Sequence, residues 1–193
     1  VTLDKYIWQG VASWLRGRID RGLRVVPVSL NVSRVDILAC DVAEHMGALA
    51  AQYNLPPELM RIEITETAYT GESEAVDKLT ADLHTRGFST YMDDFGTGQS
   101  TLAKLKNVNV DVIKLARTFV PTARDQGRSA QIVSSMLEMA QSLHLPVVVE
   151  GVETNEQANI LRHMGARYAQ GFLYYRPMPA NDFEALLDGG KNN

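Results

Sequence analysis

The sequence predicts an α/β fold with a parallel sheet, in the form of a TIM-like (β/α)8 barrel that lacks its first two strands. Three observations lead to this prediction. Short β-branched runs alternate with amphipathic helical stretches, polar residues follow the strand segments, and no glycine-rich phosphate turn follows an early strand. The alternation indicates a parallel sheet, because parallel strands need a helical crossover between them. An open doubly wound sheet is the alternative, and it would be expected to carry that glycine-rich turn.

The first half of the chain contains two predicted strands, each between helical stretches. Tyr6, Val11 and Trp14 recur at helical spacing, and a Pro-Pro turn precedes the second strand. Gly87 ends the helix after that strand. The predicted elements are a helix over 4–14, a strand over 25–31, a helix over 33–53, a strand over 60–64 and a helix over 72–85.

The second half contains four further predicted strands, most of them separated by helices. The predicted strands cover 88–92, 110–115, 146–149 and 167–169, and the predicted helices cover 129–143, 155–164 and 181–187. We expect one domain over 1–188. The final Gly-Gly-Lys-Asn-Asn segment, 189–193, is expected to be a mobile tail.

The composition excludes several classes of protein. The 193 residues are 45% hydrophobic and 22% charged, which is ordinary for a globular domain. The net charge of −4 is unfavourable for binding DNA through a basic face. Cys40 is the only cysteine, which excludes an internal disulfide and a multi-cysteine zinc site and favours a cytoplasmic location. No apolar run is long enough to span a membrane, and because the chain opens on Val1 we expect it to be a piece of a longer protein.

Polar or charged side chains lie at the carboxyl ends of all the predicted strands. These residues are Asn31, Glu63, Asp93, Asp94, Lys114, Glu150 and Gln170. Each of them alone has a structural interpretation, such as a helix cap, a turn or an exposed strand position. Because the carboxyl ends of parallel strands meet at one rim, together they predict a metal site. Its oxygen ligands suit Mg²⁺, Mn²⁺ or Ca²⁺ rather than zinc, and two ions beside Asp93 and Asp94 would suit phosphoester hydrolysis.

The segments that carry these residues resemble the EAL-domain family. The resemblance extends over about 3–187 and rests on six segments: Ser-Leu-Asn31-Val-Ser33, Glu63-Ile-Thr-Glu66, Asp93-Asp94-Phe-Gly-Thr-Gly, Lys114, Glu150-Gly-Val-Glu153-Thr and Gln170-Gly. Members of this family are bacterial phosphodiesterases that linearise cyclic di-GMP to pGpG on a modified TIM barrel. The resemblance therefore implies cyclic di-GMP as the substrate and Mg²⁺ or Mn²⁺ as cofactors.

The resemblance also implies a role for each matching residue. One metal ion would be held by Asn31, Glu63 and Asp93, and the second by Asp94 and Glu150. The catalytic residues would be Glu150, near the attacking water, and Lys114, which would orient that water or offset the charge of the phosphate. The remaining matches would support the site: Glu66 would brace the loop that begins at Asp93, while Glu153 and Gln170 would lie near the substrate.

The sequence departs from the family pattern in two places. The Glu-Ala-Leu motif that names the family contains a metal ligand and lies upstream of this chain, whereas the Glu184-Ala185-Leu186 triplet in the last helix matches it only by coincidence. The family pattern Lys-x-Asp reads Lys114-Leu115-Ala116 here, so a second carboxylate is missing. Loss of two oxygen ligands weakens a site for a hard cation. We therefore expect negligible hydrolysis of cyclic di-GMP by this chain, and weak nucleotide binding.

Two alternatives to a phosphodiesterase are considered. One is a catalytically inactive EAL module that binds cyclic di-GMP as a receptor or serves for protein contacts, and Ala116 favours it. The other is an unrelated metal-dependent barrel, such as an enolase-like lyase. That barrel would also place acids and a lysine at strand ends, but it does not explain the DDFGTG and EGVET segments together.

The resemblance further implies partners for the chain. Sensory or GGDEF domains are expected in the parent protein, which would be cytoplasmic or tethered to a membrane, with no contact of this segment to DNA or membrane. A homodimer is expected near the DDFGTG loop, where Leu102, Leu105 and Val108 would supply apolar contacts. An incomplete barrel also exposes strand edges, so self-association or aggregation is expected.

Overall fold

Six parallel strands form one sheet, and their order in the sheet is their order in the chain. The computed structural model describes residues 1–71, 73–97, 109–121 and 127–189, without the side chains of residues 70, 71 and 73. The strands are β1 (Val28–Val32), β2 (Met60–Thr65), β3 (Ser89–Phe95), β4 (Val112–Leu115), β5 (Val147–Val149) and β6 (Tyr168–Ala169). A doubly wound sheet would reverse its strand order, so the predicted TIM-like architecture is confirmed.

Helices connect the strands on one side of the sheet. They are α1 (Thr2–Asp20), α2 (Arg34–Ala39), α3 (Val42–Gln52), α4 (Glu66–Gly71), α5 (Ser73–Thr85), α6 (Arg128–Ser142), α7 (Asn155–His163) and α8 (Ala180–Gly189). The sequence pattern did not predict α4. Glu72, the first residue of the predicted helix over 72–85, lies outside the described residues, as do residues 190–193 of the predicted tail.

The single helix predicted over 33–53 is wrong, because two helices occupy this stretch. Ser33 caps α2, since its hydroxyl accepts from the backbone N–H of Asp36 while the Asp36 carboxylate accepts from the backbone N–H of Ser33. Cys40 is extended, with φ −155°. Asp41 then caps α3 by accepting from the backbone N–H of Glu44 at 2.9 Å. The two caps favour two helix starts over one continuous helix.

The strands bury alternate residues against the helices. On β2, Ile62 and Ile64 are fully buried in the apolar core, while Arg61 and Glu63 alternate with them and line a cavity on the other face of the sheet. The same core contains apolar residues from the other strands, among them Leu30, Met92, Ile113 and Val149. Burial of one such side chain contributes about 1.5–3 kcal/mol, so these positions fix the register of the sheet.

The first and last helices contact each other. Arg18 of α1 is fully buried, and its Nη2 donates to Oδ1 of Asp188 on α8 at 2.5 Å. Trp14 Nε1 donates to Oε1 of Glu184 at 2.7 Å, and Arg18 Nη1 lies 3.4 Å from Oε2 of the same residue. Glu184, which begins the coincidental Glu-Ala-Leu triplet, therefore joins two helices. Among the described helices, none is long and apolar enough to cross a bilayer.

Gly171 lies where the segments after β5 and β6 touch. A Cβ added there would overlap the backbone N and carbonyl O of Val152, which cannot move aside as a flexible side chain could. We expect Gly171→Ala to lower the free energy of unfolding by about 1–3 kcal/mol, measured by denaturant unfolding. Gly10→Ala is the control, because Gly10 lies within α1 with open space around it, and alanine there should be neutral or stabilising. Equal stability of Gly171→Ala and the wild type would contradict this close approach.

Candidate active site

Lys114 lies among three carboxylates at the carboxyl ends of the central strands. Its Nζ donates to Oε2 of Glu63 at 2.8 Å and lies 2.9 Å from Oδ1 of Asp93 and 2.8 Å from Oε1 of Glu150. The Lys114 side chain is 6% exposed, and those of the three acids are 10–17% exposed. The structure thus brings together four of the residues that the sequence predicted for the site, and they come from four different strands or strand ends.

The short strand β4 explains why this lysine is buried. Its sequence Val-Ile-Lys-Leu places Ile113 and Leu115 in the apolar core, so Lys114 projects to the other face of the sheet. A buried ammonium group requires opposite charges within contact distance. The register of the sheet supplies them, because the neighbouring strands β3 and β5 end in acidic residues beside Lys114.

The pKa values of the cluster follow from burial and mutual contact. Burial alone would lower the pKa of Lys114, but its contacts with Glu150, Glu63 and Asp93 outweigh burial and raise that pKa above its ordinary value. Burial raises the pKa of Glu150, and Asp93 and Glu63 raise it further, while Lys114 opposes the shift. Lys114 therefore stays charged at neutral pH, and Glu150 takes up a proton more readily than an exposed glutamate does.

An irregularity in β3 separates the two adjacent aspartates. The pairing of β3 with β4 shifts register between Met92 and Phe95. Asp93 points toward Lys114, and the partner of its buried Oδ1 is the Lys114 ammonium, which lies 2.9 Å away in an ion pair. Asp94 adopts φ +55° and is exposed. The carboxylates of Asp93 and Asp94 therefore point in different directions, as the side chains of neighbouring residues in a strand do.

Asn31 lies beside the cluster on the edge strand β1. It pairs in register with Glu63, so the two side chains lie on the same face of the sheet. Its backbone carbonyl accepts a hydrogen bond from Trp8 Nε1 at 3.1 Å, which fixes the end of β1 against α1. The residue is exposed, and its amide is accessible from the rim.

Glu66 connects the end of β2 to the loop after β3. Its side chain is fully buried, and its Oε2 accepts from the backbone N–H of Gly96 at 2.9 Å. Gly96 has φ +94°, and a Cβ there would overlap the ring of Phe119. Thr97 closes the turn by donating from its hydroxyl to the carbonyl of Asp94 at 2.8 Å. The predicted dimer contact, formed by Leu102, Leu105 and Val108, lies outside the described residues, and so does Gly98.

Glu153 and Gln170 lie on the segments that follow β5 and β6. The backbone N–H of Gln170 donates to the carbonyl of Val149 at 2.9 Å, and its own carbonyl accepts from Val152 at 3.0 Å. Gln170 lines the same cavity as Glu63 and Lys114. Glu153 is exposed at the start of α7 and does not line that cavity.

A cavity of about 390 Å³ opens beside Glu63 and Lys114. Its walls include Arg61 and Tyr91, which the sequence reasoning missed, and also Ser29, Gln170, Gly171, Tyr174 and Tyr175. The sequence held a signal for Arg61 and Tyr91, because each lies two residues before a predicted site residue on its own strand and so shares its face. The Arg61 guanidinium carbon lies 5.5 Å from the centre of the Tyr91 ring.

The described residues contain no group of three or more acidic, histidine or cysteine side chains arranged around a common metal position. Instead, each of Glu63, Asp93 and Glu150 directs one carboxylate oxygen to the Lys114 ammonium. Ala116, which replaces the expected aspartate, is 1% exposed. The donor atoms nevertheless match a hard divalent cation, because all of them are carboxylate or amide oxygens.

Known proteins are similar to this chain in sequence and in fold. RocR, a cyclic di-GMP phosphodiesterase of Pseudomonas aeruginosa, is 37% identical over 189 residues, which cover 97% of this chain and 48% of RocR. MucR of the same organism, named as a bifunctional diguanylate cyclase/cyclic di-GMP phosphodiesterase, is 28% identical over 187 residues, which cover 97% of this chain and 27% of MucR. The chain therefore spans about half of the length of RocR and less of MucR.

Two solved structures match most of the chain. The EAL domain of Mycobacterium smegmatis DcpA matches with a TM-score of 0.89 and 30% identity, over 97% of this chain and 85% of that one. The PaMucR phosphodiesterase in its c-di-GMP complex matches with a TM-score of 0.86 and 27% identity, over 95% of this chain and 80% of that one. The EAL domain family pattern matches residues 2–177, which confirms the resemblance predicted from the strand-end motifs. This chain belongs to the EAL domain family.

Proposed function

We propose that this chain binds cyclic di-GMP weakly at the rim formed by Lys114 and its three carboxylates, and that the rim is built to hydrolyse one phosphodiester bond to pGpG, with turnover by this chain reduced to a negligible rate by Ala116. The observation that carries this proposal is the convergence of Glu63, Asp93, Lys114 and Glu150 at the carboxyl ends of a parallel sheet. Active sites of TIM-like barrels lie at this end of the strands. The chain's relatives RocR and MucR are named as cyclic di-GMP phosphodiesterases.

The oxygen ligands support Mg²⁺ or Mn²⁺ as the cofactor. Asn31, Glu63 and Asp93 would hold one ion, and Asp94 and Glu150 would help to hold a second. A bound divalent ion supplies a water of lowered pKa and offsets the charge of the phosphate. Asn31 and Glu63 are paired in register, and Glu63 and Asp93 both contact the Lys114 ammonium, so three of these ligands lie near one another.

The chain's own residues would position the reactants. Lys114 would hold the carboxylates in place through its ion pairs, and its positive charge would favour an approaching phosphodiester. Glu150 would accept a hydrogen bond from the attacking water. Glu66 would keep the loop after β3 in position through its bond to Gly96, and Gln170 would contact the nucleotide from the cavity wall. Glu153 would lie near the substrate at the start of α7.

A receptor for cyclic di-GMP is the second candidate function, and Ala116 favours it. Where the family pattern has a carboxylate two residues after the lysine, this chain has the buried methyl group of Ala116. A receptor needs to bind the nucleotide, but it does not need the metal ligands that activate water. The measurement of turnover and binding on the same preparation separates the two functions.

We expect Ala116→Asp to raise turnover of cyclic di-GMP to pGpG by about tenfold or more, because residues that support metal ligands are typically worth 10–100-fold in affinity or activity. The assay measures pGpG formation at saturating Mn²⁺, where the wild-type chain should turn over slowly. Ala116→Asn is the matched control, since it has the same shape without the charge and should give no gain. Chelation of the divalent ion should abolish turnover in every variant.

Two outcomes would change this proposal. Cyclic di-GMP binding without turnover, in both the wild-type chain and Ala116→Asp, would assign the receptor function. Fast turnover by the wild-type chain would show that the aspartate of Lys-x-Asp is dispensable. The absence of both cyclic di-GMP binding and turnover would contradict both candidate functions.

The surroundings of the domain follow from the same proposal. We propose one domain over 1–188 within a longer cytoplasmic or membrane-tethered protein that carries sensory or GGDEF domains, as the name of MucR suggests for its own chain. A homodimer through the region after β3 is part of the proposal. Its test is light scattering on this chain and on a variant with Leu102 and Leu105 replaced by Ser.

A further inference from the structure

Arg61 is a cation on the inner face of the sheet, one layer below the acidic cluster. It lies two residues before Glu63 on β2, so the two side chains share a face about 6.6 Å apart along the strand. Both residues line the cavity of about 390 Å³. Bulky branched side chains dominate the interior layers of TIM-like barrels, so an arginine at this layer requires an explanation.

The hydrogen-bonding groups of Arg61 are unused by the described part of the chain. Arg61 forms no hydrogen bond or ion pair with any described residue, and its guanidinium makes a cation–π contact with Tyr91, whose ring centre lies 5.5 Å from the guanidinium carbon. Lys114 differs, because its ammonium already contacts three carboxylates. Arg61 is therefore the cation in the cavity wall whose N–H groups are available to a ligand.

The cation–π contact with Tyr91 does not use the hydrogen-bond donors of the guanidinium. Such a contact is an attraction between the positive charge and the ring, so it leaves the N–H groups able to donate to a ligand. On β3, the register partner of Arg61 is Ser89 and that of Glu63 is Tyr91. Tyr91 therefore lies two residues further along its strand than the residue opposite Arg61. The contact with Tyr91 thus joins the layer of Arg61 to the layer of Glu63.

We propose that Arg61 binds a phosphate group in this cavity, and that in the proposed function it is a positioning and affinity residue for the anionic backbone of the nucleotide. A guanidinium edge matches two phosphate oxygens at once. Arg61 also reduces the repulsion between the phosphate and the acidic cluster. Lys114 and Arg61 carry two positive charges, and Glu63, Asp93 and Glu150 carry three negative charges. Without Arg61 the net charge of this group would fall from −1 to −2.

The test uses two ligands and three variants of the chain. Inorganic phosphate is titrated while the thermal unfolding midpoint is followed, and cyclic di-GMP binding is measured by calorimetry in the presence of a chelator, so that no turnover occurs. Arg61→Met removes the charge at similar length, and Arg61→Lys keeps the charge without the planar edge. Arg162→Met is the control, because Arg162 is exposed on α7 and contacts Asn159.

We expect Arg61→Met to weaken cyclic di-GMP binding by about tenfold or more, since hydrogen bonds to charged groups contribute about 1.5–3 kcal/mol. The phosphate-dependent rise in unfolding midpoint should disappear in the same variant. Arg61→Lys should fall between Arg61→Met and the wild type, and Arg162→Met should match the wild type. If Arg61→Met fails to fold, the cyclic di-GMP affinity of Arg61→Lys tests the proposal. A purely electrostatic or structural role of Arg61 predicts wild-type affinity in Arg61→Lys, whereas binding by the guanidinium edge predicts weaker binding.

The choice of cyclic di-GMP as the ligand of Arg61 rests on the proposed function. The outcomes of the test distinguish a failure of the role of Arg61 from a failure of the proposed function. Equal cyclic di-GMP affinity in the wild type and Arg61→Met overturns the role of Arg61 and leaves the proposed function intact. A phosphate response that depends on Arg61, without cyclic di-GMP binding, supports the phosphate site and contradicts the proposed function. Absence of a response to either ligand in the wild type overturns both.

Discussion

Replacement of Lys114 with Met is expected to lower the free energy of unfolding by about 3–5 kcal/mol at neutral pH, because three poorly exposed carboxylates lose the cation between them. The side chains of Glu63, Asp93 and Glu150 are at most 17% exposed, so water can replace the ammonium only in part. The measurement is denaturant unfolding with a chelator present. Lys78→Met on α5 is the control, since Lys78 is exposed and its loss should cost little.

The pH dependence of the Lys114→Met effect gives a second test. The pKa of Lys114 is raised in the folded chain, so its stabilisation is complete below its ordinary pKa of 10.5 and is lost only as the pH rises through the raised value. In the variant, the carboxylates repel one another until they bind protons. The pKa of Glu150 is already raised in the wild type, so Glu150 should be protonated first.

The stability difference between Lys114→Met and the wild type should therefore narrow as the pH falls from 7 toward about 4, where carboxylates become protonated. A difference that stays constant over this range would mean that lost packing, rather than carboxylate repulsion, sets the cost. A difference below about 1 kcal/mol at pH 7 would mean that the ion pairs of Lys114 contribute no more than those on an exposed surface.

The strand positions were the part of the fold that the sequence predicted well. All six predicted strands are present, because most of them contain short β-branched or apolar runs whose side chains are buried in the core. The helix over 33–53 was wrong because the caps at Ser33 and Asp41 are local hydrogen bonds, which hydrophobic periodicity does not register. Helix α4 was missed because it is only six residues long and follows directly from β2.

The candidate site was predictable as a set of residues but not as a network of contacts. The strand-end argument identified Lys114 as needing a partner and placed Glu63, Asp93 and Glu150 at the same rim. It did not predict that one ammonium contacts all three acids, because that depends on the register of four strands. Arg61 was missed although its position two residues before Glu63 places it on the same face of the sheet, and the structure shows that its side chain lines the cavity.

The contact between α1 and α8 was beyond the reach of sequence reasoning, since its residues are 170 positions apart. Arg18 would ordinarily be taken for an exposed helix residue, yet it is fully buried. Its Nε donates to the carbonyl of Arg24 at 2.9 Å, its Nη2 donates to Asp188, and its guanidinium lies 5.5 Å from the Trp14 ring centre. One side chain thus joins α1, the segment after it and the last helix.

We expect Arg18→Met to lower the free energy of unfolding by about 2–3 kcal/mol and to loosen α8. The cost comes mainly from lost hydrogen bonds to charged and backbone acceptors. It stays below that of a fully buried ion pair, because Asp188 and Glu184 are 42% and 24% exposed and water can reach them. Denaturant unfolding gives the stability, and amide hydrogen exchange over Ala180–Gly189 reports on the helix.

Arg16→Met is the matched control for Arg18→Met. Arg16 lies on the same helix, pairs with Asp20 at 2.5 Å and donates to the carbonyl of Asn54 at 3.1 Å, but both contacts are on the surface and the Asp20 side chain is 63% exposed, so the change should cost less than about 1 kcal/mol. Faster exchange confined to α8 in Arg18→Met, with the strands still protected, would show that this helix is held chiefly by the Arg18 contact. If Arg18→Met unfolds with the same midpoint as Arg16→Met, the packing of Trp14 against Phe183, rather than the buried guanidinium, holds the two helices together.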